Sequence, residues 1–233
     1  VLHEPQMGNP VELLEGLRDE LGAAFPIIGG GTGTGSILEQ SPMSLQFAGE
    51  KVYAGSCVVM LLAGEFAFRC GFSHGAEAVS KPFVLTKARG NVLLELDGRP
   101  ALAQVEEALG VDFRAAGASF GGFGISLGRQ EEETKEFAIY GIWGFDCATG
   151  ALHVGTPVYP GAKYFVTSAD PERILRHTES SARAALGSLL PAKPKGAICF
   201  DCYGRKMQLG AHGLIAAEIE KMASAFGGIP MAG

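Results

Sequence analysis

Leucines at 13, 14, 17 and 21 recur at helical spacing while Glu12, Glu15, Arg18 and Asp19 fall elsewhere, which predicts an amphipathic helix with one face packed on a sheet. Its start carries three signals: Asn9 as cap, Pro10 at the first helical position and Glu12 three residues after the cap. Gly22 stops it. Phe25 to Ile28 reads as a short buried strand running into a Gly/Thr loop over 29–35. The pattern then turns to short apolar runs bounded by glycine, and Val52 to Ala63, Phe66 to Phe72, Pro82 to Ala88 and Val92 to Leu96 are expected strands. Ala63-Gly64-Glu65 and Arg89-Gly90-Asn91 are short enough for hairpins, so the pairing is expected to be antiparallel.

Leu102, Val105 and Leu109 share one side of a helix expected over Ala101 to Leu109, ended by Gly110. Strands follow again at Phe137 to Phe145 and Ala151 to Val154, joined by the turn-like 146–150, and then at Tyr164 to Thr167. Asp170 as cap and Pro171 at the first position open a helix with Ile174, Ala182, Ala185 and Leu189 on one side. On its other side Glu172 and Arg176, and Glu179 and Arg183, stand at ion-pair spacing. Ala197 to Tyr203 reads as a strand, and Leu214, Ile215, Ile219, Met222 and Phe226 mark a last amphipathic helix. Strands bracketed by helices give an α+β fold class, with two domains, each a mainly antiparallel sheet covered by helices. A shift to Gly, Ala and Ser over 114–128, followed by acidic residues, places the boundary near 112, giving domains 1–112 and 113–233.

Composition narrows the function classes. Hydrophobic residues make up 47% of the 233 and charged residues only 19%, which excludes a disordered chain. The 34 glycines are about twice the usual share, without a collagen period. A net charge of -6 offers no electrostatic footprint for nucleic acid or an anionic membrane face, and no apolar run is long enough for a membrane span. Five scattered cysteines do not make a disulfide framework, so a reducing, cytoplasmic setting is expected.

Candidate chemistry is sparse. The Gly/Thr loop lacks the third glycine of a dinucleotide fingerprint and the lysine of a P-loop. Cys199-Phe200-Asp201-Cys202 is a C-x-x-C, but in an expected strand its two thiols point to opposite faces, and no second such pair completes a metal site. Cys202 alone, three residues before Arg205, could be a nucleophile with the guanidinium stabilising an anion. His177 falls on the polar side of its helix. His74 and His212 each stand beside glycine at an element end, where backbone approaches a ligand easily. No Ser/His/Asp set or carboxylate pair at motif spacing is visible, so no catalytic residues are assigned and the chain is not expected to be an enzyme.

His74-Gly75, Pro82 to Thr86, Gly90-Asn91-Val92 and Glu95-Leu96-Asp97-Gly98-Arg99-Pro100-Ala101 together resemble the N-terminal FIST domain, whose strand pair leads into an "elDGxPA" turn. Ile198 to Arg205, Leu209-Gly210 and Ile229 to Gly233 look like the C-terminal FIST domain, with its "Cys-x-Gly-Arg" strand, helix and "Pro-x-x-Gly". The resemblance implies a sensory module of signal transduction that binds a small ligand, amino acids or other small carboxylates. It also implies, as an alternative, a haem-binding gas (nitric oxide) sensor acting on a histidine kinase, with His74 or His212 on the iron. An enzyme using Cys202 is the second alternative. The chain departs from the family pattern in three respects. Tyr140 stands where many members have arginine, there is no F-box segment, and the aromatic Gly-Glu turn expected after Gly233 is missing, which points to an incomplete C-terminal end.

The ligand-binding residues expected on these grounds are Arg205, Cys202, Gly204, His74, Asn91 and His212, with no metal ligands. Arg205 leads. It follows an expected strand and the glycine at 204, which would permit a sharp exit from the sheet. Its counterpart is expected to be Asp201, Asp97 or a ligand carboxylate. Partners are a small molecule and a histidine kinase or other signalling protein, with no nucleic acid and no membrane.

Overall fold

The computed structural model describes residues 1–3, 10–32, 44–113, 124–132 and 135–233. The chain forms two compact units, Val1–Phe66 and Ala67–Gly233.

In the first unit, β1 (Leu2–His3) pairs in parallel with β2 (Gly30–Gly31) and antiparallel with a strand at Cys57–Val58. Helix α1 (Pro10–Leu21) keeps the predicted stop, while its expected cap, Asn9, lies outside the described residues. Leu13 and Leu17 are only half-buried and no residue of α1 is fully buried, so its apolar face is less covered than its pattern suggests. The strand expected at Phe25 to Ile28 is not formed. Pairing begins only at Gly30, and Phe25 and Ile28 are exposed. β3 (Leu45–Ala48) and β4 (Lys51–Ala54) make a hairpin, followed by β5 (Cys57–Val58). Buried Gln46 holds the hairpin to β5 by accepting the Val58 N–H at 3.0 Å and donating to the Ser56 carbonyl.

The long strand expected over 52–63 is therefore two short ones, and 66–72 is not a strand. No hairpin forms at Gly64. An apolar run satisfies its backbone as a strand only where a neighbouring edge offers hydrogen bonds, and among the described residues none pairs with these stretches.

The second unit begins with β6 (Ala76–Ala78), β7 (Phe83–Arg89), β8 (Val92–Leu96), β9 (Arg99–Pro100) and helix α2 (Ala101–Leu109). The tight turns carry out what their residues predict. Gly90-Asn91 joins β7 to β8 with Arg89 opposite Val92. Asp97 and Gly98 both take the left-handed conformation, φ 49° and 74°, that a two-residue turn between β8 and β9 requires. The Asp97 carboxylate also accepts the Val84 N–H at 2.8 Å, fixing the register of the turn against β7.

After β10 (Ile125–Gln130), β11 (Phe137–Asp146), β12 (Ala151–Val154) and β13 (Lys163–Ala169), the sheet closes on itself in the order β10-β11-β12-β8-β7-β13 and back to β10. Every pairing in this ring is antiparallel. The ring takes strands from both sides of residue 112. β13 closes it by pairing Phe165–Ser168 with β10 along one edge, while its other edge meets β7 and then β6. Leu85, Leu93, Leu96, Leu127, Leu152 and Val166 fill the core, together with Leu102 and Val105 of α2 and Phe113. Tyr140 belongs to this core, edge-on to the fully buried Tyr164 at 5.3 Å.

A helical layer completes the unit: α3 (Pro171–Gly187), α4 (Tyr203–Gly210) and α5 (Ile215–Phe226), which pack on one another. Asp170 caps α3 as predicted, accepting the Arg173 N–H at 2.8 Å. The strand expected over Ala197 to Tyr203 is corrected. β14 spans only Ala197–Ile198, paired in parallel with β15 (Met231–Ala232), and the chain enters α4 at Tyr203 with Cys202 as its cap residue. Glycines at 204 and 210 hide this helix from a propensity reading, and the burial of Leu209 overrides them. The α+β, mainly antiparallel fold class stands.

Candidate functional site

Arg205 lies in the first turn of α4 and reaches between the other two helices of the layer. Its Nη1 donates to the Ser73 carbonyl at 2.8 Å and its Nη2 to Thr178 Oγ1 of α3 at 2.7 Å. Nη2 also forms an ion pair with the carboxylate of Glu218 in α5. Glu218 is 2% exposed and the Arg205 side chain 15%, so the carboxylate is buried and the guanidinium largely so. Thr178 Oγ1 lies 2.9 Å from the Ile174 carbonyl and 2.9 Å from Glu218 Oε1, and its single proton can serve either. One arginine thus ties three helices to the segment that leads into β6. Burial pushes its pKa down, Asp201 and the Cys202 thiol oppose that shift, and the guanidinium keeps its charge.

The segment it grips is shaped by Gly75, whose φ of +67° only glycine adopts easily, and where a Cβ would lie 2.9 Å from the Ile174 Cα. The backbone therefore backs directly onto α3. Beside it, half-buried His74 accepts the Ala76 N–H on Nδ1 at 2.9 Å, and Phe72 meets its ring edge-on at 5.8 Å. Burial, His177 and Arg205 hold the imidazole pKa below its ordinary value, against a raising influence from Glu136. His177, expected to be a solvated surface group, is half-buried here.

Three buried polar atoms of this corner have no hydrogen-bond partner among the described residues: Arg205 Nε, Ser73 Oγ and Gln208 Oε1. Gln208 stands one turn after Arg205 on α4, with its Oε1 3.2 Å from where a Cβ on Gly124 would sit, at the entry to β10. Buried polar groups are paired in the great majority of native proteins, so each of the three is an unmet donor or acceptor.

The expected residues separate into two groups. Arg205 and His74 are brought together, and Cys202 and Gly204 lie on the same helix start. Gly204 makes no sharp exit from a sheet: it is helical, and a Cβ there would meet only the Cys202 sulfur at 3.7 Å. The acid paired with Arg205 is Glu218, not Asp201 or Asp97, the latter being engaged with β7. Cys202 is exposed, and Cys199 is half-buried with its thiol pushed up by burial and Asp201. Asn91 sits elsewhere, in the β7–β8 turn, where its Nδ2 donates to the Val154 carbonyl at 2.8 Å. His212 is exposed in the link between α4 and α5.

Ser73, Thr178, Gln208 and Glu218 escaped the sequence reading. A signal for two of them existed: Thr178 lies four residues from both Ile174 and Ala182, and Glu218 three after Ile215 and four before Met222, so each is a polar residue on an apolar stripe.

Haem iron does not fit His74 as it stands. Because His74 Nδ1 accepts a backbone N–H, its ring proton sits on Nε2, the atom whose lone pair iron would need. No group of three His, Cys, Asp or Glu able to hold a metal occurs among the described residues, and none of their helices is long and apolar enough to cross a membrane. In the first unit, a mostly apolar cavity of about 160 Å³ is lined by Val1, Pro10, Leu13, Leu14, Ile27, Gly29 and Gly30.

A closed antiparallel sheet with a helical layer, and a buried arginine knotting that layer to a strand entry, defines an α+β protein with a polar site inside its second unit. The chain belongs to the FIST family, associated with sensing in signal transduction: the FIST N domain matches residues 1–99 and the FIST C domain residues 101–233. It is similar to uncharacterized proteins of mycobacteria. One from Mycobacterium bovis is 32% identical over 174 residues, covering 69% of this chain and 42% of the relative. Another, from Mycobacterium tuberculosis, is 29% identical over 168 residues, covering 69% of this chain and 43% of the relative. The chain thus spans less than half the length of these curated relatives. No solved structure matches it.

Proposed function

We propose that this chain is a small-ligand-binding sensory module, taking an amino acid or other small carboxylate at the Ser73, His74 and Arg205 corner. The ligand state is passed to a separate signalling protein of the histidine-kinase type. The observation that carries this reading is Arg205 itself: a buried guanidinium whose Nε has no partner among the described residues, beside two other orphaned polar atoms. A planar, permanently charged donor in a desolvated corner recognises an oxygen acceptor strongly. The grip of Arg205 on Ser73 also supplies a route for the signal, since a ligand that moves the guanidinium moves β6, α3 and α5 with it. The family's association with signal transduction supports the same reading.

The test is thermal unfolding of the purified chain against a panel of amino acids and small carboxylates. At least one compound is expected to raise the melting temperature in a saturable way, and Arg205→Lys, which keeps the charge but loses the planar fork, to abolish that rise. A ligand whose effect survives intact in Arg205→Lys would move the site away from this corner.

A further inference from the structure

We infer that the corner formed by Ser73, Arg205 and Gln208 selects a net-neutral ligand presenting a hydrogen-bond acceptor and an N–H donor side by side, and disfavours a bare carboxylate. The inference rests on the small-ligand reading above and narrows it. Two independent features of the corner lead to it.

The first is charge. The Arg205 guanidinium already faces the Glu218 carboxylate, which is 2% exposed, and Asp201 acts on it as well. His74 receives a backbone N–H on Nδ1 and is therefore neutral. A ligand carboxylate would bring further negative charge to a cation that is already compensated, in a desolvated place where like charges are not screened. An uncharged amide, or an ammonium carboxylate whose charges cancel, avoids that penalty.

The second is the pattern of orphaned atoms. Arg205 Nε is a donor, and Gln208 Oε1, one turn along α4, is an acceptor. The Ser73 hydroxyl can be either. A bare carboxylate answers the donor and leaves Gln208 Oε1 unpaired, whereas a group carrying both C=O and N–H answers both, and a buried group left unpaired weakens binding by roughly tenfold or more.

The experiment follows the Arg205 Nε–H resonance of the whole chain in proton–nitrogen spectra, with propionate, propionamide and alanine as matched probes. Propionamide or alanine is expected to shift that resonance saturably and to bind roughly tenfold or more tightly than propionate. Gln208→Glu is expected to reorder the probes in favour of alanine, whose ammonium answers the new carboxylate. If propionate moves the resonance at the same concentration as the neutral probes, the small-ligand site survives and the selectivity is wrong. If none of the three moves it at saturating concentration, or only a buried water is seen against Nε–H, both the selectivity and this placement of the site fall. Should Gln208→Glu not fold, the three-probe comparison in the natural chain decides alone.

Discussion

Replacing Glu218 with leucine removes the anion from the buried centre of the helical layer and leaves the Arg205 guanidinium, 15% exposed, without its ion-pair partner and hydrogen-bonded to the Ser73 carbonyl and Thr178. Breaking one side of a buried ion pair costs about 3–5 kcal/mol, and the residual exposure of Arg205 puts this case at the lower end, about 3 kcal/mol. For a unit of this size each kcal/mol moves the melting temperature by about 2–4 °C, so Glu218→Leu is expected to melt about 6–12 °C lower. The double variant Arg205→Met with Glu218→Leu removes both charges and refills the space with apolar groups. It should recover to within about 1 kcal/mol of the natural chain. Urea unfolding followed by circular dichroism on the two single variants and the double one closes the cycle, with an expected coupling of about 2 kcal/mol or more. A Glu218→Leu cost under about 1 kcal/mol, or additive single effects, would refute the view that this pair organises the layer.

Three further outcomes follow from the same geometry. The His74 pKa is lower in the folded chain than its ordinary 6.5, so the stability it contributes is fully present above that value and is lost as pH falls through the folded pKa. The urea midpoint of the natural chain should drop across that window and that of His74→Gln should drop less, with identical profiles counting against the assignment. Gly75→Ala forces a left-handed φ on alanine and sets a Cβ against the α3 backbone, for an expected loss of about 2 kcal/mol or more. Native-like melting of that variant would contradict the close approach to Ile174. Iodoacetamide should label exposed Cys202 before Cys199, whose thiol is half-buried and raised in pKa, and mass mapping that finds the reverse order would sink the placement of Cys202 at the helix start.

The elements legible in the sequence are those whose signals are local. Val92–Leu96, Ala101–Leu109 and Ala151–Val154 fall where their patterns put them, because apolar spacing, a Gly-Asn turn and a terminating glycine all act within a few residues. The Asp170 and Pro171 start of α3 is local in the same way. What was lost depends on partners distant in the chain. The run Phe66 to Phe72 looks like a strand but pairs with no edge among the described residues, and after Ala197–Ile198 pair with Met231–Ala232 the chain turns at Cys199 to Cys202 to start a helix. The site divides along the same line. Arg205 stood out because of its motif, but its acid lies thirteen residues on, in another helix. Glu218 carries a local signal, its place on the apolar stripe between Ile215 and Met222, but nothing near it in the chain names Arg205 as its partner.

The measurement that bears most directly on the central claim is a crystal structure of the chain with the panel compound that most raises its melting temperature. The account predicts ligand density within hydrogen-bond reach of Arg205 Nε and of at least one of Ser73 Oγ and Gln208 Oε1, with the Glu218 pair intact. Density bound at another place, with those three atoms satisfied by water alone, would contradict it.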